Sequence, residues 1–480
     1  MQTIACKLVL PRLELTEVTY PEDPSARKVE TFEQTYYVRP KFVPNEGQRR
    51  DGRPTWVHHQ FNLFPVVLDD QGVPWAEANI YILSRLEGSF SYVMSTYDCI
   101  AADLAAYRRF LDKHDIDWLS FPSNKLFRPT YRFNGYLKFA INAGEIALST
   151  AKRQMCTVVN FYRWLSSEGV FTPVNPPWRE SDHYVQFKDA HGFSQSKKVV
   201  TTDVHVKVPR QNDPYDSYID DGGKLYPLTT QQQEWLMDAL TSLGNTEMTL
   251  IHLFSLLTGA RIQTVLTLRV RHALLGLDGM PSELRLPIGP GTGIDTKYSK
   301  QMVLHIPAWF YHKLKTYAQS ARAKRRRDRA VGGDSPDQYL FLSQRGAPLY
   351  RAKDDSKTYD PNNSRHYPEV GQGVRQFITD RIIPFIREKY AEPNFHYQYH
   401  DTRATAGMNW TDRQLLLVAQ GKATLHEARE FVRVRMGHES SEVTDRYLKY
   451  RQNLKLVRWV AEEHESHLQQ LAALMMDELK

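Results

Sequence analysis

The chain has 480 residues, a formal charge of +7 at neutral pH, 41% hydrophobic residues and three cysteines. That length exceeds what one compact core usually holds, so two or three domains are expected, and the ordinary hydrophobic content excludes general disorder. Cys6, Cys99 and Cys156 are too few and too scattered for a disulfide framework or a metal-ligand spacing, which points to a reducing compartment.

The N-terminus lacks the basic-then-apolar layout of a signal peptide, and no run approaches the roughly 20 apolar residues that cross a bilayer. A soluble cytoplasmic protein is expected. The positive surplus is compatible with an anionic partner without requiring one.

Residues 1–87 are rich in Pro, Tyr, Thr and Val, with short alternating stretches such as Thr35-Tyr36-Tyr37-Val38-Arg39. They predict loops and short strands, an N-terminal module whose role no motif discloses. Residues 88–171 change to a helical period. Tyr97, Ile100, Ala101, Leu104, Tyr107 and Leu111 mark one apolar face. Met155, Val158, Val159, Tyr162 and Leu165 mark a second, which Ser149 is placed to cap. Lys152, Arg153 and Arg163 fall off the second stripe, where they can meet phosphates; solvated cations on a helical bundle are the plainer reading.

Residues 172–225 carry Pro173, Pro176, Pro177, Pro209 and Pro214 and then Asp220-Asp221-Gly222-Gly223, the composition of a linker or exposed loops. Thr229 and Thr230 are placed to cap a helix carrying Trp235 and Leu236. A following helix with Leu250, Leu253, Phe254 and Leu257 stops at Gly259. Arg261 comes directly after, at the edge of a buried helix end. Alternation of Leu284, Leu286 and Ile288, then of Met302, Leu304 and Ile306, around a Gly/Pro-rich turn predicts a β-hairpin.

Lys313, Lys315, Arg322, Lys324, Arg325, Arg326, Arg327 and Arg329 form the densest basic segment. A phosphate-tracking helix and a solvated loop both fit it. His400 and Arg403 are three apart, on one helix face, with small residues Ala404 to Gly407 behind them. A metal site from His396 and His400 lacks a suitably spaced third ligand. Gly437-His438 precedes Tyr447 by nine residues from the histidine. Beyond it, residues 451–480 place Val457, Val460, Leu468, Leu471, Met475 and Leu479 at amphipathic spacing.

Thr258-Gly259-Ala260-Arg261, His400-Asp401-Thr402-Arg403 and Met436-Gly437-His438 up to Arg446-Tyr447, taken in this order, resemble the tyrosine recombinase (phage integrase) family. The resemblance spans roughly residues 88 to 460, is dense from 250 to 450 and does not reach the first eighty or so. It implies a mainly α fold with a small β-sheet or hairpin in the catalytic domain. A helical core-binding domain (88–171) and a mixed α+β catalytic domain (226–450) would form a C-shaped DNA clamp.

The resemblance also implies a catalytic set. Arg261 and Arg403 would grip the scissile phosphate, with His400 and His438 beside them, and Tyr447 would attack to give a 3′-phosphotyrosine. Lys297 or Lys300 would protonate the leaving 5′ oxygen; Lys297 is preferred because it directly follows Thr296, as in the family pattern. Two departures stand out: Thr264 where the family usually has an acidic residue, and a longer stretch between Arg403 and His438, around Leu415 to Glu427.

The implied function is site-specific DNA recombination, integration or excision of a mobile element, needing neither metal nor other cofactor. The implied partners are double-stranded DNA with core sites, further copies of the chain (a dimer per site, a tetramer in synapsis) and accessory proteins, with no membrane and a nucleoid-associated location. Residues 451–480 would pack in a neighbouring protomer or on their own domain. A type IB topoisomerase, a telomere resolvase and a DNA-binding protein without chemistry are the alternatives.

Overall fold

The computed structural model describes residues 4–31, 34–45, 55–88, 92–188, 194–207, 218–276 and 282–452. The chain divides into two compact units, Met1–Arg210 with Lys353–Pro368, and Gln211–Ala352 with Glu369–Lys480. Helices dominate the second, the first combines helices with nine described strands, and the sheets are small and antiparallel. No described helix is long and apolar enough to cross a membrane.

In the first unit, strands Cys6–Glu14 and Gln60–Leu68 pair with Leu8 opposite Val66 and Leu10 opposite Phe64. Thr35–Pro40 lies between Thr16–Thr19 and Arg27–Glu30 in a separate three-stranded sheet. Helices Ala76–Glu87, Met94–Lys113, Pro129–Asn142 and Leu148–Ser167 follow. Phe61, Phe64 and Val67 share one buried cluster with Tyr81, Tyr107, Phe133 and Phe161. Residues on both sides of position 87 thus contribute to one buried cluster within the first unit, and a two-stranded sheet gains its stability from such packing.

The Leu148–Ser167 helix begins after an extended Ala147, and no side chain caps it. Ser149 sits two residues past the cap position, too far into the helix for the cap expected of it.

The stretch expected to be a linker is largely structured. Buried Arg128 donates to the carbonyls of Pro122, Ser123 and Pro176 at 2.7–2.8 Å, and Thr130 donates to Pro177. Glu180–Lys188 and Ser194–Thr202 form an exposed two-stranded ribbon, and Val204 and Val206 then enter the first unit's core. Proline withholds its N–H but keeps a strong carbonyl acceptor, so this proline-rich segment is fastened through its carbonyls.

The second unit opens with a short hairpin, Ile219–Asp220 against Lys224–Leu225. Thr229 then caps Thr230–Ser242 in a reciprocal capping box with Gln232. Helix Thr246–Thr258 ends at Gly259 in the left-handed conformation (φ 65°). The predicted hairpin forms from Glu283–Ile288 and Met302–Pro307, with Leu286 opposite Leu304 on its buried face. After Ala308–Gln319 and Ala321–Asp328 the chain visits the first unit through Lys353–Pro368, so the expected 226–450 domain is interrupted. Helices Tyr399–Ala419 and Leu425–Met436 follow, and residues 441–452 are helical. The long stretch after Arg403 is thus extra helix, a tight turn at Gly421 (φ 68°) and a capping box of Thr424 with Glu427. The amphipathic positions from Val457 to Leu479 lie outside the described residues.

Candidate active site

Several elements of the second unit deliver side chains to a common centre. Helix Thr246–Thr258 stops at Gly259 and the chain turns through Ala260 to Arg261. The turn is braced: Ser255 donates to the Ala260 carbonyl (2.9 Å) and itself accepts from Thr402 (2.7 Å). Two of the motifs seen in the sequence are thereby fastened to each other.

Arg403, 2% exposed, points from the first turns of Tyr399–Ala419 at two helix ends. Its Nη1 donates to the Gly259 carbonyl (2.6 Å) and its Nη2 to the Met436 carbonyl (2.9 Å). Both carbonyls lie where helices end and lack intrahelical partners, and a cation there also meets the negative end of each helix dipole. This guanidinium is a structural rivet as well as a candidate anion ligand.

His438 follows the left-handed Gly437 that ends Leu425–Met436. Its Nδ1 lies 2.9 Å from the Thr444 hydroxyl. Tyr447, on the 441–452 helix, is fully buried in an apolar nest with Ile219, Met408, Val432 and Met436. Its ring lies 5.7 Å from the His438 ring. Gly407 makes room for it: a Cβ there would stand 2.5 Å from Tyr447 Cε1.

What these groups surround is the carboxylate of Asp221. Its Oδ1 accepts from Arg261 Nη2 (3.2 Å). Its Oδ2 accepts from Arg403 Nε (2.9 Å), from the Tyr447 hydroxyl (3.1 Å) and from His438 Nε2 (3.3 Å). Because Nε2 donates to an anion, Nδ1 of a neutral His438 accepts from Thr444. Asp221 carries no sequence signal of its own, because Asp-Asp-Gly-Gly is ordinary turn composition. Thr264 was the signal available: with no acidic residue there, two buried arginines needed a carboxylate from elsewhere. Thr264 instead donates to the Asp295 carbonyl (2.9 Å), and Gln263 to the Thr296 carbonyl (3.1 Å), anchoring the segment that leads to Lys297.

Lys297 and Lys300 lie at the ends of a turn in which Tyr298 and Ser299 take positive φ (60° and 54°). Lys300 donates to the Gly437 carbonyl (2.9 Å). Lys297 Nζ lies close enough to the Asp221 loop that a Cβ on Gly222 would be 2.7 Å from it. Its charge also reaches His400.

The electrostatics follow from burial and crowding. Burial pushes the Asp221 carboxyl up, but Arg403, His438 and Arg261 together outweigh it and hold the group well below the usual carboxylate range. Burial, then the neighbouring Arg403, lowers Arg261 to about 10. Burial, then Arg403 and Arg261, lowers His400 to about 4, so this imidazole is neutral at pH 7. Burial also lowers His438, although its bond to Asp221 opposes the shift. Burial and then the Asp221 charge push the Tyr447 phenol well above its ordinary value.

The other sequence candidates are dispersed. Arg153 forms a forked pair with buried Asp103 (3.0 Å), and Arg163 pairs with Glu180 (2.7 Å) and lies over Trp178. Lys152 is exposed. The basic segment is helical, but Arg326 and Arg327 turn inward. Arg326 meets Glu247 (2.8 Å) and the Leu342 carbonyl (2.6 Å), and Arg327 meets Asp334 (2.6 Å) and the Ala318 carbonyl (2.8 Å). An eight-residue helix with four consecutive cationic positions must turn some of them to its own domain, and Glu247 draws them there. Lys324 and Arg325 remain on the solvent face.

No family model and no curated protein matches the chain. Solved structures do. A lambda integrase (75–356) dimer bound to a COC′ core site is 14% identical, covering 78% of this chain and 94% of that one, with a TM-score of 0.42. The Tn1549 transposon integrase in complex with transposon right end DNA is 14% identical, covering 78% and 98%, with a TM-score of 0.40. A lambda integrase tetramer bound to a Holliday junction is 14% identical, covering 77% and 76%, with a TM-score of 0.40. At this level of similarity these integrase structures leave the chemistry to be argued from the residues themselves.

Proposed function

We propose that this chain cuts and rejoins DNA strands through a covalent 3′-phosphotyrosine at Tyr447. One observation carries the reading: a buried phenol, two arginines and a histidine all donate to a single anion position. Four donors converging on one anion make a preorganised site for negative charge. A phenol among them adds a nucleophile where that charge collects.

With a phosphodiester at that position, the Tyr447 oxygen attacks phosphorus and the 5′ oxygen leaves. The hydroxyl proton must depart, because a phenol with a raised pKa is a poor nucleophile. Arg261 and Arg403 favour its loss by stabilising the phenolate and the charge gathering on the phosphorane oxygens. His438 donates to a non-bridging oxygen. Neutral His400 is available to take up or share a proton. Lys297 supplies the proton that the 5′ oxygen needs. A 5′ hydroxyl from another strand reverses the step and releases Tyr447. The P–O bond broken is replaced by the P–O bond formed, so the chemistry requires no nucleotide.

The expected partners are double-stranded DNA and further copies of the chain. Lys152, Arg153, Arg163, Lys324 and Arg325 are the proposed phosphate contacts away from the centre. Arg326 and Arg327 would contribute only by holding their helix. Recombination of a mobile element is the favoured role, since the resemblance includes a helical domain upstream of the site.

Tyr447→Phe is expected to abolish the covalent adduct on a nicked duplex and to leave duplex affinity within about tenfold, because affinity rests on phosphate contacts spread along the backbone. A mutant that still yields a denaturant-resistant, protease-sensitive DNA band would overturn the assignment.

A further inference from the structure

We propose, on the reading above, that Asp221 is a built-in stand-in for the scissile phosphate, and that the Ile219–Leu225 hairpin must leave the site before DNA can be cut. A carboxylate offers two oxygens on one carbon, where a phosphodiester offers two non-bridging oxygens on one phosphorus. Arg261 takes one oxygen of Asp221, and Arg403, His438 and Tyr447 converge on the other. These are the same donors assigned to the phosphate, and the two anions exclude each other by both space and charge.

The space is closed as well. The cavity beside the arginines, lined by Arg261, Thr296, Lys297, Lys300 and Arg403 among others, measures about 20 Å³. That is room for about one water and not for a phosphodiester. The loop tip lies against Lys297, whose Nζ would be 2.7 Å from a Cβ on Gly222 (φ 76°). The Arg261 Nε is buried and makes no hydrogen bond. The carboxylate thus leaves a donor unused that a ligand with more oxygens would engage.

A catalytic base for Tyr447 is the competing role for Asp221. Arg403, His438 and Arg261 hold its carboxyl well below the usual range, and so weak a base gains little from a phenol whose own pKa is raised.

The hairpin is held in a way that permits release. It has two ladder positions, Ile219 opposite Leu225 and Asp220 opposite Lys224. Arg446 donates to the Asp220 carbonyl (2.7 Å), and Ile219 inserts into the Tyr447 nest. Its downstream end is tied separately to the site helix, by the Tyr226 N–H to Asp401 (2.8 Å) and the Leu228 N–H to Thr405 (2.9 Å). A flap anchored after residue 225 can swing out without unravelling the helix that follows.

The test uses the full chain and two probes, orthovanadate and a nicked duplex. Asp221→Asn keeps the size and removes the charge. It is expected to bind vanadate at least about tenfold more tightly than the wild type and to form the Tyr447 adduct faster at limiting DNA. In the wild type, vanadate is expected to speed hydrogen exchange of the 219–225 amides, a measurement that stands even if the variant folds poorly. The proposal is overturned if Asp221→Asn binds vanadate no more tightly and loses adduct formation, which would make Asp221 a positioning residue for the arginines. It is equally overturned if vanadate binds the wild type and leaves the 219–225 amides protected. A wild type that never forms an adduct refutes the strand-transfer reading instead, while the vanadate and exchange results still decide the role of Asp221.

Discussion

Lys297 and Lys300 end the same strained turn but face different groups, and the proposed general acid is chosen on that difference. Lys300 is committed to the Gly437 carbonyl, so it braces the loop that presents His438. Lys297 meets the Asp221 loop, where a phosphate would lie. Lys297→Ala is therefore expected to slow cleavage of ordinary DNA by about a hundredfold or more, the usual scale for loss of a general acid. A 5′-bridging sulfur leaves without that proton and should restore the mutant nearly to the wild-type rate. Sulfur rescue of Lys300→Ala, with none for Lys297→Ala, would reverse the assignment. At this scale much of the centre was legible, because Arg261, Arg403, His438 and Tyr447 each sit in a short motif. Asp221 was not. Its role depends on a turn being folded back onto residues that lie 40 to 226 positions away in sequence, and no local spacing carries that information.

Helix ends and close helix contacts determine where those side chains point. Gly407 lies in the middle of Tyr399–Ala419, where alanine would ordinarily favour a helix by about 1 kcal/mol. Here a Cβ would collide with the Tyr447 ring and press on Met436. Gly407→Ala is expected to change the melting temperature by only a few degrees, since the propensity gain offsets a comparable overpacking cost. It should reduce adduct formation by more than about tenfold by displacing the nucleophile. Unchanged adduct yield with a folded mutant would show that the ring position observed is not the reactive one. Elements with strong local signals were foreseen, among them the Thr229 cap, the Gly259 stop and the Leu284–Ile306 hairpin. Ser149 failed as a cap because a serine two positions off is compositionally the same. The proline-rich segment looked loose because its fastening runs through carbonyls that any sequence possesses.

Across the whole molecule, buried neutral histidines tie stability to pH. Burial lowers His252 to about 4, against the Met248 carbonyl that accepts its Nδ1 proton at 2.7 Å, and burial likewise lowers His272 and His400 to about 4. An unfolded histidine titrates near ~6.5. Between those values the unfolded chain binds more protons, so acid favours unfolding and stability rises with pH across that window. Stability should fall by a few kcal/mol between about pH 6.5 and 4, and His252→Gln should flatten that slope in a series of melting curves. An unchanged slope would mean that His252 is not buried neutral.

Phe61, Phe64 and Val67 share a buried cluster with helices on both sides of residue 87, and Lys353–Pro368 returns to the first unit after 140 residues or more in the second. Such long-range closure leaves no mark in local periodicity. The proposed chemistry at every scale depends on Tyr447 becoming covalently joined to DNA. The most direct measurement is mass spectrometry of the digested adduct formed on a nicked duplex in excess EDTA without nucleotide. The account expects a peptide containing Tyr447 linked to the 3′ phosphate of the cut strand. An adduct on another residue, a link to a 5′ end, or cleavage that appears only with added divalent metal would contradict it.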